Sequence, residues 1–311
     1  MSRRGWALFL AMGLIWGIPY LLIKVAVDEF APTTIVFGRT AIAAAILVPV
    51  AALRGHLRSV LPHWRPVLAF AAVEICGPWV LLGYAEQSLS SSLTGLLVAA
   101  VPLVGAVLVA VTGQEHVALR RVVGLLIGFA GVATLVGFDI GTTNLWAVAA
   151  MAGVALGYAT GPLILARYLS ELPGLAVVAT SVAIAAMVYL PLGLAQWPAE
   201  PPSGQATLAV VVLAVVCTGT AFLVFFALIN EVGPARATVI TYVNPAVAIA
   251  LGVVVLSEPF TATIALGFAL ILGGSVLATS RDRQPGAPAR PRKARGTDVE
   301  GEQLGSPIPE P

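Results

Sequence analysis

Ten apolar segments, separated by short stretches richer in polar and turn-forming residues, follow one another from the N-terminus to about residue 280. Each is close to the ~20 residues that an α-helix needs to cross the hydrocarbon core of a bilayer. The segments are too long for barrel strands and lack strict alternation of apolar and polar positions, so they predict transmembrane helices. The predicted spans are Trp6–Ile23, Ile35–Leu53, Pro66–Gly83, Leu93–Thr112, Val122–Phe138, Leu145–Ala166, Leu175–Ala195, Thr207–Leu228, Ala237–Leu256 and Ala262–Thr279.

The chain contains the same pattern of apolar segments and key residues twice. Pro102 lies in the fourth segment and Glu115 at its end, and 143 residues later Pro245 and Glu258 occupy the same places in the ninth. In the same way, Gly124 and Gly131 of the fifth segment correspond to Gly267 and Gly274 of the tenth. One half of the chain is therefore a diverged copy of the other. Because each copy has five spans, an odd number, the two copies are predicted to have opposite orientations in the membrane.

These patterns predict an all-α membrane protein of ten transmembrane helices, arranged as two inverted five-helix repeats. The first repeat is expected over residues 1–140 and the second over residues 141–280. Residues 281–311 are rich in proline, glycine and charge, which is typical of a disordered segment. This tail is predicted to be cytoplasmic.

Basic residues indicate the orientation. Arg120 follows the fourth segment, whereas its counterpart 143 residues later is the uncharged Thr263. Of the 17 Lys and Arg residues, only Lys24 and Arg39 fall away from the side that carries the N-terminus. Since cytoplasmic loops retain Lys and Arg, both termini are predicted to be cytoplasmic and the protein to be a multi-pass protein of the cell (inner) membrane.

Composition restricts the function further. Hydrophobic residues make up 59% of the chain and charged residues 10%, against about 25% charged in soluble domains. The loops are too short for a catalytic domain, no GxSxG or HExxH motif occurs, and the two cysteines lie in separate spans. We therefore expect no enzyme activity, cofactor or metal, and the net charge of +2 gives no sign of nucleic-acid binding. A membrane-embedded enzyme acting on lipid and a non-transporting scaffold remain alternatives.

The repeated five-span unit, with a proline in its fourth span, a glutamate at the end of that span and glycines through the fifth, resembles the EamA-like family of the drug/metabolite transporter superfamily. The similarity covers about residues 5–280. The resemblance implies ten transmembrane helices, a central cavity between the repeats, and movement of small metabolites, often amino acids and frequently outward. Inverted repeats are also the architecture of alternating access.

We therefore predict a secondary transporter that moves a small organic metabolite, such as an amino acid, across the inner membrane, with export as the expected direction. The expected partners are the small-molecule substrate and the lipid bilayer. Whether protons are coupled to transport, and whether the protein works alone or as a homodimer, stays open at this point.

Two charged residues within predicted spans are the first candidates for the site, since such charges cost about 2.5–3.5 kcal/mol on insertion scales. Arg39 lies about one turn into the second span, and Glu74 lies about 12 Å into the third from the opposite side. Their depths differ by about 7–8 Å, which a zwitterionic substrate or a water molecule can bridge. Glu74 is predicted to bind a substrate amine or to carry a coupling proton. A structural ion pair or a snorkelling arginine is the alternative.

Deep aromatic and polar side chains complete the predicted substrate site. They are Trp16, Trp79, Tyr242 and Asn244. Pro102 and Pro245 are predicted to kink their helices and to leave backbone carbonyls free towards the cavity, although kinks also serve packing alone.

Two further repeated features are predicted to be structural. Glu115 and Glu258 are expected to cap helices, the latter within a Ser257, Glu258, Pro259 sequence typical of a helix start. Gly124 and Gly128 have the spacing that lets membrane helices approach closely.

Overall fold

The computed structural model of the protein describes residues 1–111, 119–137, 144–233 and 237–279. Every regular element in these ranges is helical, so the predicted all-α class is confirmed for this part of the chain. Glu115 and the tail from residue 281 onwards lie outside the described residues.

The helices of the first half are α1 (Arg3–Gly17), α2 (Pro19–Ala26), α3 (Pro32–Leu53), α4 (Trp64–Phe70), α5 (Gly77–Glu86), α6 (Ser91–Val98), α7 (Val101–Val111) and α8 (Leu119–Gly137). Those of the second half are α9 (Leu145–Tyr168), α10 (Gly174–Ala195), α11 (Gly204–Ala214), α12 (Ala221–Val232), α13 (Asn244–Leu256) and α14 (Ala262–Thr279). Short 3₁₀ helices cover Leu57–His63 and Thr238–Tyr242, and π-helical turns cover Ala71–Cys76 and Val215–Thr220.

Side-chain caps define several of the helix starts. The oxygens of Ser2, Ser90, Asn144 and Ser203 each accept a hydrogen bond from a backbone N–H in the first turn of the helix that follows. Those N–H groups have no partner within the helix, so each cap stabilises its start by about 1 kcal/mol. These four residues place the beginnings of α1, α6, α9 and α11.

Within the described ranges, nine helical segments are long and apolar enough to cross a membrane. They correspond to all the predicted spans except the ninth. One of them, Ala262–Thr279, has the same limits as the tenth predicted span. The predicted ninth span is the exception, because its apolar helix covers only Ile240–Val255. A 3₁₀ helix there gives way to α13 at Asn244, so the segment is interrupted within the predicted span.

The fourth and ninth segments are interrupted at equivalent positions. The helix α6 ends at Val98 and α7 begins at Val101, one residue before Pro102. In the second half, α13 begins at Asn244, one residue before Pro245. Proline has no N–H to continue a preceding helix but fits its first turn, which explains a new helix beginning at each site.

The third and eighth segments each contain a π-helical turn, and these turns also lie at nearly equivalent positions. Ala71–Cys76 separates α4 from α5, and Val215–Thr220 separates α11 from α12. The hydropathy pattern does not predict them, because a π turn changes the direction of side chains without changing their polarity. Single π turns are frequent at functional sites.

Glycines allow α8 and α14 to pack with their backbones in direct contact. A Cβ atom added to Gly124 would lie 2.5 Å from the backbone nitrogen of Ala278, and one added to Gly274 would lie 2.5 Å from the Cα atom of Gly128. Rotation of a side chain cannot relieve a clash with backbone atoms. The predicted packing positions Gly124 and Gly128 therefore lie at a close helix crossing.

We expect Gly274→Ala to destabilise the protein by about 1–3 kcal/mol, the usual cost of overpacking a tight contact. Its neighbour Gly273 is the matched control, because a Cβ atom there meets no atom within 4 Å. Gly273→Ala should be neutral or slightly stabilising, since alanine is the better helix former. Thermal unfolding of the purified protein in detergent measures both effects. Equal melting temperatures of the two variants would contradict the close crossing.

Candidate functional site

Arg39 is buried at the boundary between the two halves of the chain. It belongs to α3, and its Nε atom donates a hydrogen bond of 2.7 Å to the hydroxyl of Thr218 in the second half. Its guanidinium carbon lies 3.6 Å from the centroid of the Trp79 ring, which belongs to α5. Arginine suits this position because its planar group can stack on an aromatic face while it donates in its own plane.

The π-helical turn of the second half orients the partner of Arg39. Thr218 donates its own hydroxyl proton to the carbonyl of Leu213 at 2.8 Å, which leaves lone pairs on its oxygen to accept from Arg39. Thr218 is fully buried, so both bonds are shielded from water. The guanidinium is thereby held in one orientation, and its two terminal nitrogens form no hydrogen bond with the described residues.

Glu74 lies in the π-helical turn of the first half and packs against the second half. Its Oε2 atom is buried and has no hydrogen-bond partner among the described residues. The carboxyl group occupies space left by Gly161 of α9, where an added Cβ atom would lie 2.9 Å from the Glu74 carboxyl carbon. A glycine at this point in α9 therefore admits a carboxyl group between two helices.

The two intramembrane charges share a neighbour without pairing directly. Tyr158 of α9 is close enough to interact electrostatically with both Arg39 and Glu74, and it packs against the cluster that contains Trp79. No ion pair or hydrogen bond joins Arg39 to Glu74 in the described part of the chain. The structural ion pair, one of the alternatives from the sequence, is thus not formed in this structure.

Trp16 contacts the second half through aromatic rings. Its ring centroid lies 4.7 Å from that of Phe225 and 6.0 Å from that of Phe222, both on α12. Phe222 in turn lies 6.4 Å from Phe226. Trp16 and Trp79 therefore both lie where the halves meet, but they belong to separate side-chain clusters.

Tyr242 and Asn244 do not lie with Arg39 and Glu74. The Tyr242 hydroxyl is 3.0 Å from that of Thr279, the last residue of α14, in an exposed pair. Asn244, with its amide nitrogen assigned towards carbonyl oxygens, donates to Ile240 at 3.0 Å and to Gly13 of α1 at 3.3 Å. Its polar group thus connects the interrupted ninth segment to the first half.

A cavity of about 500 Å³ opens near the end of the bundle that carries the N-terminus. Its walls come from α1 and the residue that follows α3 in the first half, and from α10 and α12 in the second. The lining residues are Arg4, Arg54, Leu175, Leu223, Phe226, Ala227, Asn230 and Glu231. None of the predicted site residues lines it. Phe226 links the cavity wall to Phe222, which contacts Trp16, so Trp16 lies behind the wall and not on it.

Polar contacts join the two halves at both ends of the bundle. At the end with the cavity, Ser2 donates to Glu231 and Arg121 donates to the carbonyl of Ala278, and a larger group of contacts lies at the opposite end.

At that opposite end, Ser203 donates from its backbone and its hydroxyl to the carboxylate of Glu29, each at 2.5 Å, and these bonds hold the pKa of the Glu29 carboxyl below its usual value. Thr33 donates to the side chain of Gln196 at 2.9 Å. Both contacts join a residue before or at the start of α3 to the loop between α10 and α11.

Glu258 adds a third contact at this end, and its position corrects the prediction. Its carboxylate accepts from the backbone N–H groups of Ser91 at 2.7 Å and Ser92 at 2.9 Å, so it caps α6 of the first half and not the helix that follows it. The prediction was wrong about Ser257 because this residue adopts a left-handed conformation (φ 55°) that ends α13. The N–H of Glu258 then bonds to Gly252 at 3.0 Å.

Three residues of these sites were not singled out from the sequence. Glu86 is fully buried at the end of α5, and neither carboxylate oxygen has a hydrogen-bond partner among the described residues. A charge at the end of an apolar run is typical of the membrane interface, which concealed its burial. Gly161 resembled a packing glycine. Thr218 carried the clearest signal, because it adjoins Cys217, the repeat counterpart of Glu74.

Comparison with known proteins identifies the family. The model of the EamA-like transporter family matches residues 3–137 and again residues 145–280. The transporter YvbV of Bacillus subtilis, named as uncharacterized, is 26% identical over 293 residues, covering 91% of this chain and 94% of YvbV. The inner membrane transporter YedA of Escherichia coli K12, also named as uncharacterized, is 28% identical over 278 residues, covering 88% and 89% of the two chains.

A solved crystal structure has the same fold. It covers 90% of this chain and 97% of its own, with a TM-score of 0.64 at 22% identity. The relatives are named as transporters, and the described part of the chain holds nine helical segments able to cross a membrane. Since the family model matches both halves in turn, this chain is a multi-pass membrane protein that belongs to the EamA-like transporter family.

Proposed function

We propose that the protein is a secondary transporter that exports a small zwitterionic metabolite of the amino-acid class by alternating access. In this proposal the ten predicted spans all cross the cell (inner) membrane, the short ninth included, and both termini are cytoplasmic. Residues 1–140 and 141–280 act as the two inverted repeats, and residues 281–311 form a cytoplasmic tail.

The observation that carries the proposal is the contact of Arg39 with both halves of the chain. This buried arginine bonds to Thr218 of the second half and stacks on Trp79 of the first. Its contacts therefore depend on the relative position of the two halves. Alternating access requires such a site at the repeat interface, because movement of one repeat against the other must change how the substrate is held.

The chemistry of the site supports a zwitterionic substrate. The terminal guanidinium nitrogens of Arg39 are donors that match a carboxylate in a bidentate pair. The Glu74 carboxyl is an acceptor for an ammonium group or the carrier of a coupling proton. Tyr158 interacts electrostatically with both Arg39 and Glu74. A substrate with one carboxylate and one amine can therefore pair its carboxylate with Arg39 and its amine with Glu74.

The difference between the two ends of the bundle supports export. The cavity of about 500 Å³ separates the halves at the end that carries the N-terminus. At the other end, Glu29, Thr33 and Glu258 form more hydrogen bonds between the halves than Ser2 and Arg121 form at the end with the cavity. With the termini in the cytoplasm, a cavity at this end would let substrate enter from the cytoplasm, as the loading state of an exporter requires.

Efflux from proteoliposomes tests the function. Vesicles loaded with a panel of radiolabelled amino acids are compared with protein-free vesicles, with and without a pH gradient. We expect at least one amino acid to leave several-fold faster through the protein. A gradient that changes the rate supports proton antiport, whereas equal rates support passive facilitated efflux. If folded protein moves no amino acid, the proposed substrate class is wrong.

A further inference from the structure

An apolar groove of about 310 Å³ lies on the outside of the bundle, away from the cavity between the halves. Its walls are Val48 of α3, the 3₁₀ helix Leu57–His63, the start of α4 with Trp64, and Ala183 of α10. The 3₁₀ helix connects the second and third segments and therefore lies where the chain leaves the membrane. The groove opens beside the membrane-facing surface at this level.

The groove exposes large apolar side chains. Leu61 is 71% exposed and Trp64 is 57% exposed, and both line the groove. Exposed clusters of this kind mark a binding or membrane surface. Tryptophan is enriched at the membrane interface, where its apolar ring meets acyl chains and its N–H meets headgroups. The surface is therefore suited to the upper part of an acyl chain.

Two arginines lie in the same stretch of chain as the residues that line the groove. Arg58 of the 3₁₀ helix is exposed, and the guanidinium carbon of Arg65 lies 5.3 Å from the Trp64 ring centroid. The sequence contains no Asp or Glu from residue 30 to residue 73. The loop between α9 and α10 packs against this region and has one acid, Glu171, four positions after the basic Arg167, so the two together add no net charge. In the part of the chain that the structure describes, no carboxylate forms an ion pair with Arg58 or Arg65.

We propose that this groove binds one anionic phospholipid, with an acyl chain along Leu61, Trp64 and Ala183 and the phosphate between Arg58 and Arg65. Exposed arginines next to a membrane attract anionic headgroups, and each contributes about a fivefold gain in affinity. The apolar groove adds contact that a phosphate group alone does not make. The site is distinct from the transport pathway and does not depend on the proposed substrate.

Native mass spectrometry of the purified protein tests the site. The protein is incubated with equal amounts of phosphatidylglycerol and phosphatidylcholine that carry identical acyl chains, and the bound lipids are counted. We expect the wild type to retain phosphatidylglycerol preferentially. The double variant Arg58→Gln/Arg65→Gln should bind phosphatidylglycerol about 30-fold more weakly, with phosphatidylcholine unchanged.

Two further variants separate the groove from general attraction to positive charge. Ala183→Phe fills the groove and should reduce the retention of both lipids. Arg120→Gln removes an exposed arginine from the first turn of α8 at the same end and should change nothing. Equal retention of the two lipids by the wild type would overturn the proposal. So would an Arg120→Gln effect as large as that of the double variant, or unchanged binding in Ala183→Phe, when all variants unfold at the wild-type temperature.

Discussion

We expect Glu74→Gln to reduce amino-acid efflux strongly or to remove its dependence on a pH gradient, while the folded protein keeps its stability. Glutamine has nearly the same shape but cannot carry a negative charge or exchange a proton. A hydrogen bond to a charged group contributes about 1.5–3 kcal/mol, so loss of the pairing with a substrate amine should weaken transport about 10- to 100-fold. Stability is preserved because the Glu74 Oε2 atom has no hydrogen-bond partner to lose among the described residues.

Efflux rates distinguish the two proposed roles of Glu74. They are measured at saturating and at low substrate concentration, with and without the pH gradient. If it binds the amine, the Michaelis constant rises for amino acids but not for an analogue without the amine. If it carries the proton, the stimulation by the gradient disappears. Glu171→Gln, which removes an exposed acid in a loop, is the matched control and should behave as the wild type. Wild-type flux with a wild-type pH profile in Glu74→Gln would rule out both roles.

Arg39→Lys reduces transport at least 10-fold, although it keeps the positive charge. Lysine cannot place a planar group on Trp79 while it donates sideways to Thr218, and it offers no bidentate pair to a carboxylate. Loss of the cation–π contact alone is expected to cost about 0.5–2 kcal/mol. The melting temperature should therefore fall together with the transport rate.

Thr218→Val separates the structural contribution from substrate binding. Valine removes the acceptor of Arg39 but keeps the guanidinium, so we expect a lower melting temperature with a smaller loss of transport. In the double variant Arg39→Lys/Thr218→Val, the losses of stability from the two substitutions should be less than additive, because both remove the same contact. Arg167→Lys, at an exposed arginine near Tyr168, is the control. If Arg39→Lys transports at the wild-type rate, Arg39 is only a packing residue.

The sequence was sufficient to predict the segments that lie in the membrane. A bilayer requires about 20 apolar residues for each crossing helix, and this requirement is local, so it can be recognised residue by residue. The tenth predicted span has the same limits in the structure, 262–279. The repeat was equally visible, because Pro102 and Pro245 recur at a fixed distance. The interrupted ninth segment shows the limit, since hydropathy does not distinguish a 3₁₀ turn from an α-helix.

The sequence also selected Arg39 and Glu74, because a charge in an apolar run is conspicuous. It did not indicate what they contact. The partners Thr218 and Gly161 lie 179 and 87 positions away along the chain, and only packing of the two halves brings them together. Tyr242 shows the reverse case, in which a residue chosen for its depth bonds to Thr279 in an exposed pair.

The sequence by itself therefore determined which segments are apolar enough to lie in lipid, that the pattern occurs twice, and which charged residues fall within apolar segments. The tertiary structure decided the partners of those charges. It assigned Glu258 to the start of α6, buried Glu86 and turned Glu74 towards α9. The physical reason is that transfer to lipid depends on each side chain separately, whereas a hydrogen bond or a close contact depends on the positions of two groups that folding alone brings together.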